Sequence, residues 1–174
     1  MSGSIIIWLV WAVALFWATG AYNRLVRLRA QAIGAFAELD AQFCSYVALV
    51  RHSFADNTAE DAAVYEGLLG AATQFDGSLK AARGHPLDAM TMRALAAAHE
   101  VLSLSWARLR NEPGDLAGAP LPETLFAQWQ QVALNVERTR AEFNQRVQAY
   151  NRAIRQFPAR VLAWLFGFKA AHEI

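Results

Sequence analysis

Residues 5–50 read IIIWLVWAVALFWATGAYNRLVRLRAQAIGAFAELDAQFCSYVALV, and two apolar patterns meet in them without a break. The first is solid. No charged side chain stands between Met1 and Asn23, and Ile5, Ile6, Ile7, Trp8, Leu9, Val10, Trp11, Phe16 and Trp17 form the bulk of the run. As a helix, residues 1–22 reach roughly 30 Å, the hydrocarbon thickness of a bilayer. The second pattern is a stripe: Leu25, Leu28, Ala32, Ala35, Leu39, Phe43, Tyr46 and Val50 recur at steps of three and four, the spacing of one helical face. Only Gly34 weakens the helix between Asn23 and Ser53, and modestly. The reading is a membrane helix that continues directly into the first helix of a body.

Arg24, Arg27 and Arg29 follow the span at once. Basic residues stay on the cytoplasmic side, so they place the body inside the cell and the short N-terminus outside. Ala18-Thr19-Gly20 is a small-residue triplet of the kind found at signal-peptide cleavage sites, but residues 1–4 contain no Lys or Arg. Trp8, Trp11, Trp17 and Tyr22 suit a retained span with amphipathic rings towards the interfaces. An uncleaved anchor is expected; cleavage would instead release a secreted or periplasmic bundle.

Downstream there is no long alternation of β-branched residues, so helices dominate. Asp56, Asn57 and Thr58 stop the first helix and supply a cap for the next. A second helix is expected over Ala59–Ala82, with Val64, Leu68, Ala71, Phe75 and Leu79 on one face. Arg83-Gly84-His85-Pro86 is a turn, and a third helix covers Leu87–Arg110 through Met92, Leu95, Ala98, Leu102, Trp106 and Leu109. Residues 111–122, NEPGDLAGAPLP, are loop. From Glu123 the apolar positions Leu125, Trp129, Val132, Val136, Phe143, Val147, Tyr150, Ile154 and Phe157 keep a near-heptad rhythm, with Thr139 or Arg140 in the one weak layer. Sustained heptads mean shallow packing angles, as in coiled coils and antiparallel bundles.

The expected fold is therefore all-α: an N-terminal transmembrane helix (1–22) continuous with an elongated antiparallel four-helix bundle (23–157), followed by an apolar tail (158–174). Up-down topology brings the end of the fourth helix back to the membrane. Pro158 should kink or end that helix. Beyond it, Val161, Leu162, Trp164, Leu165, Phe166 and Phe168 cluster with Arg155, Arg160 and Lys169. Either these rings fold back on the bundle end, or Trp164, Phe166, Phe168 and Lys169 lie at the bilayer interface beside the anchor.

Several of these residues fall into a recognisable series. Tyr22-Asn23-x-Leu25-Val26-x-x-Arg29 resembles the opening of the LemA family, and residues 36–42, with Asp40 and Gln42, resemble its aromatic-x-x-I/L-D-x-Q element. Glu137-Arg138, Phe143-Asn144, Val147, Tyr150-Asn151, Ile154, Phe157-Pro158 and Phe166-Gly167-Phe168 are similar to the family's C-terminal run. Two departures stand out: residues 43–51 lack the family's basic cluster and proline-containing element, and Phe143 stands where the family prefers Tyr. The resemblance implies a single-span bacterial inner-membrane protein with a helical-bundle body, and no mechanism. The Tyr/Phe-Asn pairs have a physical reading of their own: the asparagines either bond between the first and fourth helices and fix register, or are exposed neighbours of core rings.

Convergent chemistry is absent from the pattern. His52, His85, His99 and His172 are scattered, no Glu-x-x-His pair occurs, and Cys44 at an apolar helical position reads as a small core residue. Asp56, Glu60 and Asp61 suit the positive end of a helix dipole. With a net charge of +1, no basic field marks a nucleic-acid binder. The expectation is a non-enzyme with no cofactor or metal: a membrane-anchored scaffold or adaptor, with the lipid bilayer, an envelope or membrane protein and a homo-oligomer as partners. The alternative is a membrane-shaping or lipid-contacting structural protein that self-associates.

Overall fold

Ser2–Ser53 form one uninterrupted helix, α1, of 52 residues in a computed structural model that describes residues 2–54, 59–111 and 123–174. The remaining helices are α2 (Ala59–Gly84), α3 (Ala89–Asn111), α4 (Glu123–Arg155) and the short α5 (Ala159–Leu165). The protein is all-helical among the described residues, as the periodicity requires. The expected caps at Asp56 and Thr58 and the loop after Asn111 lie outside the described residues.

Helix ends follow local chemistry. α2 persists to Gly84 rather than Ala82. α3 begins at Ala89, two residues later than expected, because Asp88 caps it: Oδ2 accepts from the backbone N–H groups of Met90 (3.0 Å) and Thr91 (3.1 Å). α4 ends at Arg155, before the cis Phe157–Pro158 bond, and the chain turns into α5. Phe157 thereby leaves the heptad stripe. It was expected on the packed face and is 75 % exposed.

Neighbouring helices run antiparallel. On α1 and α4, Phe36 meets Phe143 and Tyr46 meets Trp129 (centroids 5.9 and 4.5 Å). On α1 and α2, Asp40 pairs with Arg83 (2.8 Å) and Arg51 with Asp76 (2.9 Å). α1 packs most closely on α4, and α2 on α3. Large rings fill the seam between α3 and α4, where Trp106 stacks on Trp129 at 4.2 Å and 10°.

The core takes the residues of the sequence stripes. Leu25, Ala32, Ala35, Leu39, Phe43, Tyr46 and Val50 of α1 are buried, as are Leu68, Ala71, Phe75 and Leu79 of α2 and all six expected positions of α3. Cys44 is only half-buried, at the rim of the core, where its Sγ accepts from Arg83 Nη2 at 2.8 Å.

Trp129 bridges α1, α3 and α4, so Trp129→Ala should cost the body about 3–5 kcal/mol, the range for deleting a buried aromatic. Chemical denaturation followed by circular dichroism checks this; a loss below about 1 kcal/mol would mean the α3–α4 seam is not held by the stack.

Candidate functional site

The end of the bundle nearest the exposed apolar half of α1 gathers most of the residues singled out by sequence. Ile6, Ile7, Trp8, Leu9, Val10, Trp11, Phe16 and Trp17 are 53–85 % exposed, while Leu25 is fully buried. Ile5 belongs to the same helix. α1 is long and apolar enough to cross a membrane, and none of its apolar window is buried in the protein.

At the junction, rings from three segments meet. Tyr22 packs on Phe166 (5.0 Å) and Phe168 (6.0 Å), and Trp17 on Phe157 (5.6 Å). α5 lies against this junction through Ala159 and Ala163, one turn apart and both buried. Small residues on that face let the helix sit close. On its other faces Val161, Trp164 and Leu165 are exposed, as is Phe166 just beyond, with Trp164 at 83 %. The tail thus divides: Trp164 projects from the bundle, Phe166 packs on Tyr22 with its outer side exposed, and Phe168 is half-buried against the core.

After α5 the chain reverses at Gly167, whose φ of 69° is left-handed backbone. The Phe168 N–H bonds the Ala163 carbonyl (2.9 Å), the six-to-one bond of a Schellman cap. Residues 169–174 then run without helix along α4 as a strap. Tyr150 Oη donates to the Lys169 carbonyl (3.0 Å). Asn151 bonds both backbone groups of Ala171, accepting from its N–H and donating to its carbonyl (2.9 Å each). Asn144 does the same for Ile174, at 2.9 and 2.7 Å, and Arg140 Nε also donates to the Ile174 oxygen (2.7 Å). Seven helical residues advance ~10 Å, and three extended residues advance ~10 Å. Asparagines seven apart on α4 therefore match backbone groups three apart in the strap. Both alternatives read from the sequence are replaced: these asparagines neither bridge α1 and α4 nor sit idle at the surface. Asn23 is exposed. Meanwhile Phe143 and Tyr150 beside them point into the core, and Ile154 is buried one turn on.

Charge is segregated at the same end. No acidic residue precedes Glu38, and none lies between Glu142 and Glu173. Arg24, Arg27, Arg29, Arg152, Arg155, Arg160 and Lys169 all fall in those segments, and none is in an ion pair among the described residues. Three clefts open here. One of about 400 Å³ lies between Trp17, Arg24 and Phe157; one of about 570 Å³ includes Arg29, His85 and Lys169; one of about 540 Å³ includes Arg155, Arg160 and Trp164. The acid-free stretches were visible in the sequence; that folding would bring them to one end was not read from it.

Elsewhere the picture is structural. Asp40 holds Arg83 across α1 and α2, and Gln42 is half-buried beside it in sequence. Among the described residues no group of three or more His, Cys, Asp or Glu could hold a metal ion. His99 sits among the rings of Phe43, Tyr46 and Phe75 (5.3–5.9 Å), and its Nε2 has no hydrogen-bond partner among the described residues. Burial, with Arg140 nearby, lowers its pKa from 6.5. Burial first, then Glu137, pushes the Tyr46 hydroxyl up to about 12.

Among the described residues, fold and site together define an all-helical bundle with one helix able to span a membrane. The chain belongs to the LemA family, whose model matches residues 77–174. That match holds the strap, its asparagines and α5; Tyr22, Asn23, Asp40 and Gln42 fall before it. No curated protein and no solved structure matches.

Asn151→Ala removes two part-buried hydrogen bonds and should cost about 1–3 kcal/mol, with faster amide exchange in residues 169–174. A denaturation midpoint and exchange pattern equal to the parent would contradict the clamp. His99 makes a pH prediction. Its folded pKa lies below the unfolded value, so above about pH 6.5 both states are neutral and it contributes no pH dependence. As pH falls through that value the unfolded state takes up the proton first and stability drops. His99→Phe should flatten stability between about pH 7 and pH 5; an unchanged slope would remove His99 as the cause.

Proposed function

We propose that this is a non-enzymatic, single-pass protein of the bacterial inner membrane whose bundle serves as a scaffold or adaptor for other membrane or envelope proteins. The observation that carries the reading is the unbroken α1: the same helix supplies the exposed apolar span and the centre of the core, so the body is held rigidly with respect to the bilayer. A flexible tether would leave a docking surface free to tumble. The acid-free stretches beside the span support a cytoplasmic body, since they extend the positive charge beyond Arg24, Arg27 and Arg29 to Arg152, Arg155, Arg160 and Lys169.

Exposed apolar residues away from that end support a protein partner. Val101 and Leu104 lie one turn apart on α3 and are exposed, and the register set by Trp106 and Trp129 places Leu134 of α4 at the same height, also exposed. The lipid-contacting alternative is favoured by the exposed α5 residues Val161, Trp164 and Leu165.

Photo-cross-linking residues placed at 101, 104 and 134 separate the two. The scaffold reading expects discrete adducts with one membrane protein, lost when Leu104→Glu is introduced. Adducts only with the chain itself, or none while a probe at 164 labels lipid, would favour the lipid-contacting reading instead.

A further inference from the structure

The geometry assigns an anionic phospholipid headgroup site to the cleft between α1, the α2–α3 turn and the start of the strap. The inference deepens the membrane-anchored reading above and rests on it. Four segments build the cleft: Arg29 and Ile33 from α1, His85 and Leu87 from the turn, Tyr150 from α4, and Phe166 to Lys169 from the tail. At about 570 Å³ it has room for a phosphorylated headgroup and the glycerol behind it.

Its charge is unbalanced towards an anion. Arg29 and Lys169 are exposed and free of ion pairs among the described residues. Arg offers a planar fork to phosphate oxygens and Lys a mobile point charge. The one carboxylate in the lining, Asp88, caps the N-terminus of α3 through Met90 and Thr91 and also interacts electrostatically with His85 and Lys169, so it offsets part of the positive charge and leaves Arg29 the less compensated cation. Ile33, Leu87 and Phe166 supply apolar wall of the kind a glycerol backbone needs.

Height selects lipid over a soluble phosphate. Arg29 follows Tyr22 by seven residues, about 10 Å along the helix axis, while a headgroup layer is about 5–8 Å deep on each face. The cleft therefore opens just outside that layer, and the Arg29 side chain, leaning towards the N-terminus of α1 as helical side chains do, reaches back to it. Tyr22 packs on Phe166 and Phe168, so the ring cluster that floors the cleft also faces the interface. The Asn144 and Asn151 clamps hold the strap, and through it Lys169, at this place.

The test uses the full chain in non-ionic detergent, titrated with phosphatidylglycerol, phosphatidylcholine or glycerol 3-phosphate and read by native mass spectrometry. Phosphatidylglycerol should give a saturable adduct and phosphatidylcholine should not. Arg29→Gln with Lys169→Gln should weaken it about tenfold or more, and Arg152→Gln, an unpaired cation outside the cleft, by less than about twofold. All three substitutions fall on exposed side chains, so the fold is kept. Equal weakening by Arg152→Gln would mean a diffuse field, and no weakening would remove the cleft; either overturns the site. Glycerol 3-phosphate binding as tightly as the lipid would overturn the lipid assignment. Carbonate extraction of the same proteins from vesicles reads the anchor separately: extraction of the unmutated chain would defeat the membrane reading itself.

Discussion

One helix carries two kinds of apolar surface, and the rest of the structure is arranged around it. In α1 the apolar surface is all-round up to Trp17, then narrows to a stripe that begins at the fully buried Leu25. A helix apolar on every side suits lipid, and one apolar on a stripe suits a bundle. Because no break separates them, whatever covers the stripe is fixed relative to whatever covers the span. α4 lies along the stripe, and α5 closes the corner where one regime gives way to the other.

That corner is held by polar contacts. The strap has few large side chains to bury, and only Ala171 and Ile174 are buried in it. Its position comes instead from side-chain amides that replace a neighbouring strand, each asparagine giving and taking one bond with a backbone unit. Such contacts are modest singly and costly to leave unmade when half-buried. They recognise backbone rather than side chains, so the strap can vary in sequence as long as the spacing of asparagines on α4 holds. Gly167 completes the arrangement, since the reversal into the strap needs a left-handed residue that a side chain would strain.

The helices were legible because their signal is periodic and local. Leu25 to Val50, Met92 to Leu109 and Leu125 to Ile154 could be assigned to a core from spacing alone. What was not legible depends on a partner distant in sequence. Asn144 and Asn151 announce a polar position on a packed face, but nothing near them says that residues 171 and 174 will return to meet them. Phe157 failed for a related reason: its heptad position is right, and Pro158 removes the helix that would have used it. Arg29, His85 and Lys169 lie on three segments, and only the antiparallel register brings them to one cleft. The weak layer at Arg140 likewise finds its use in the Ile174 oxygen.

Charge is distributed unevenly along the same helices. A net charge of +1 conceals two acid-free stretches, residues 1–37 and 143–172, which hold Arg24, Arg27, Arg29, Arg152, Arg155, Arg160 and Lys169. With Trp164 and Leu165 exposed among those arginines, the end of the bundle has the composition of an interfacial surface. The direct measurement is depth. Spin labels at positions 165 and 134, in the full chain reconstituted into anionic vesicles with Cys44→Ser, report their access to oxygen and to a water-soluble relaxant. The account requires the label at 165 to favour oxygen, as residues at the acyl boundary do, and the label at 134 to favour the aqueous agent. A label at 165 as open to the aqueous agent as that at 134 would contradict it, and the bundle would then stand clear of the bilayer on α1 alone.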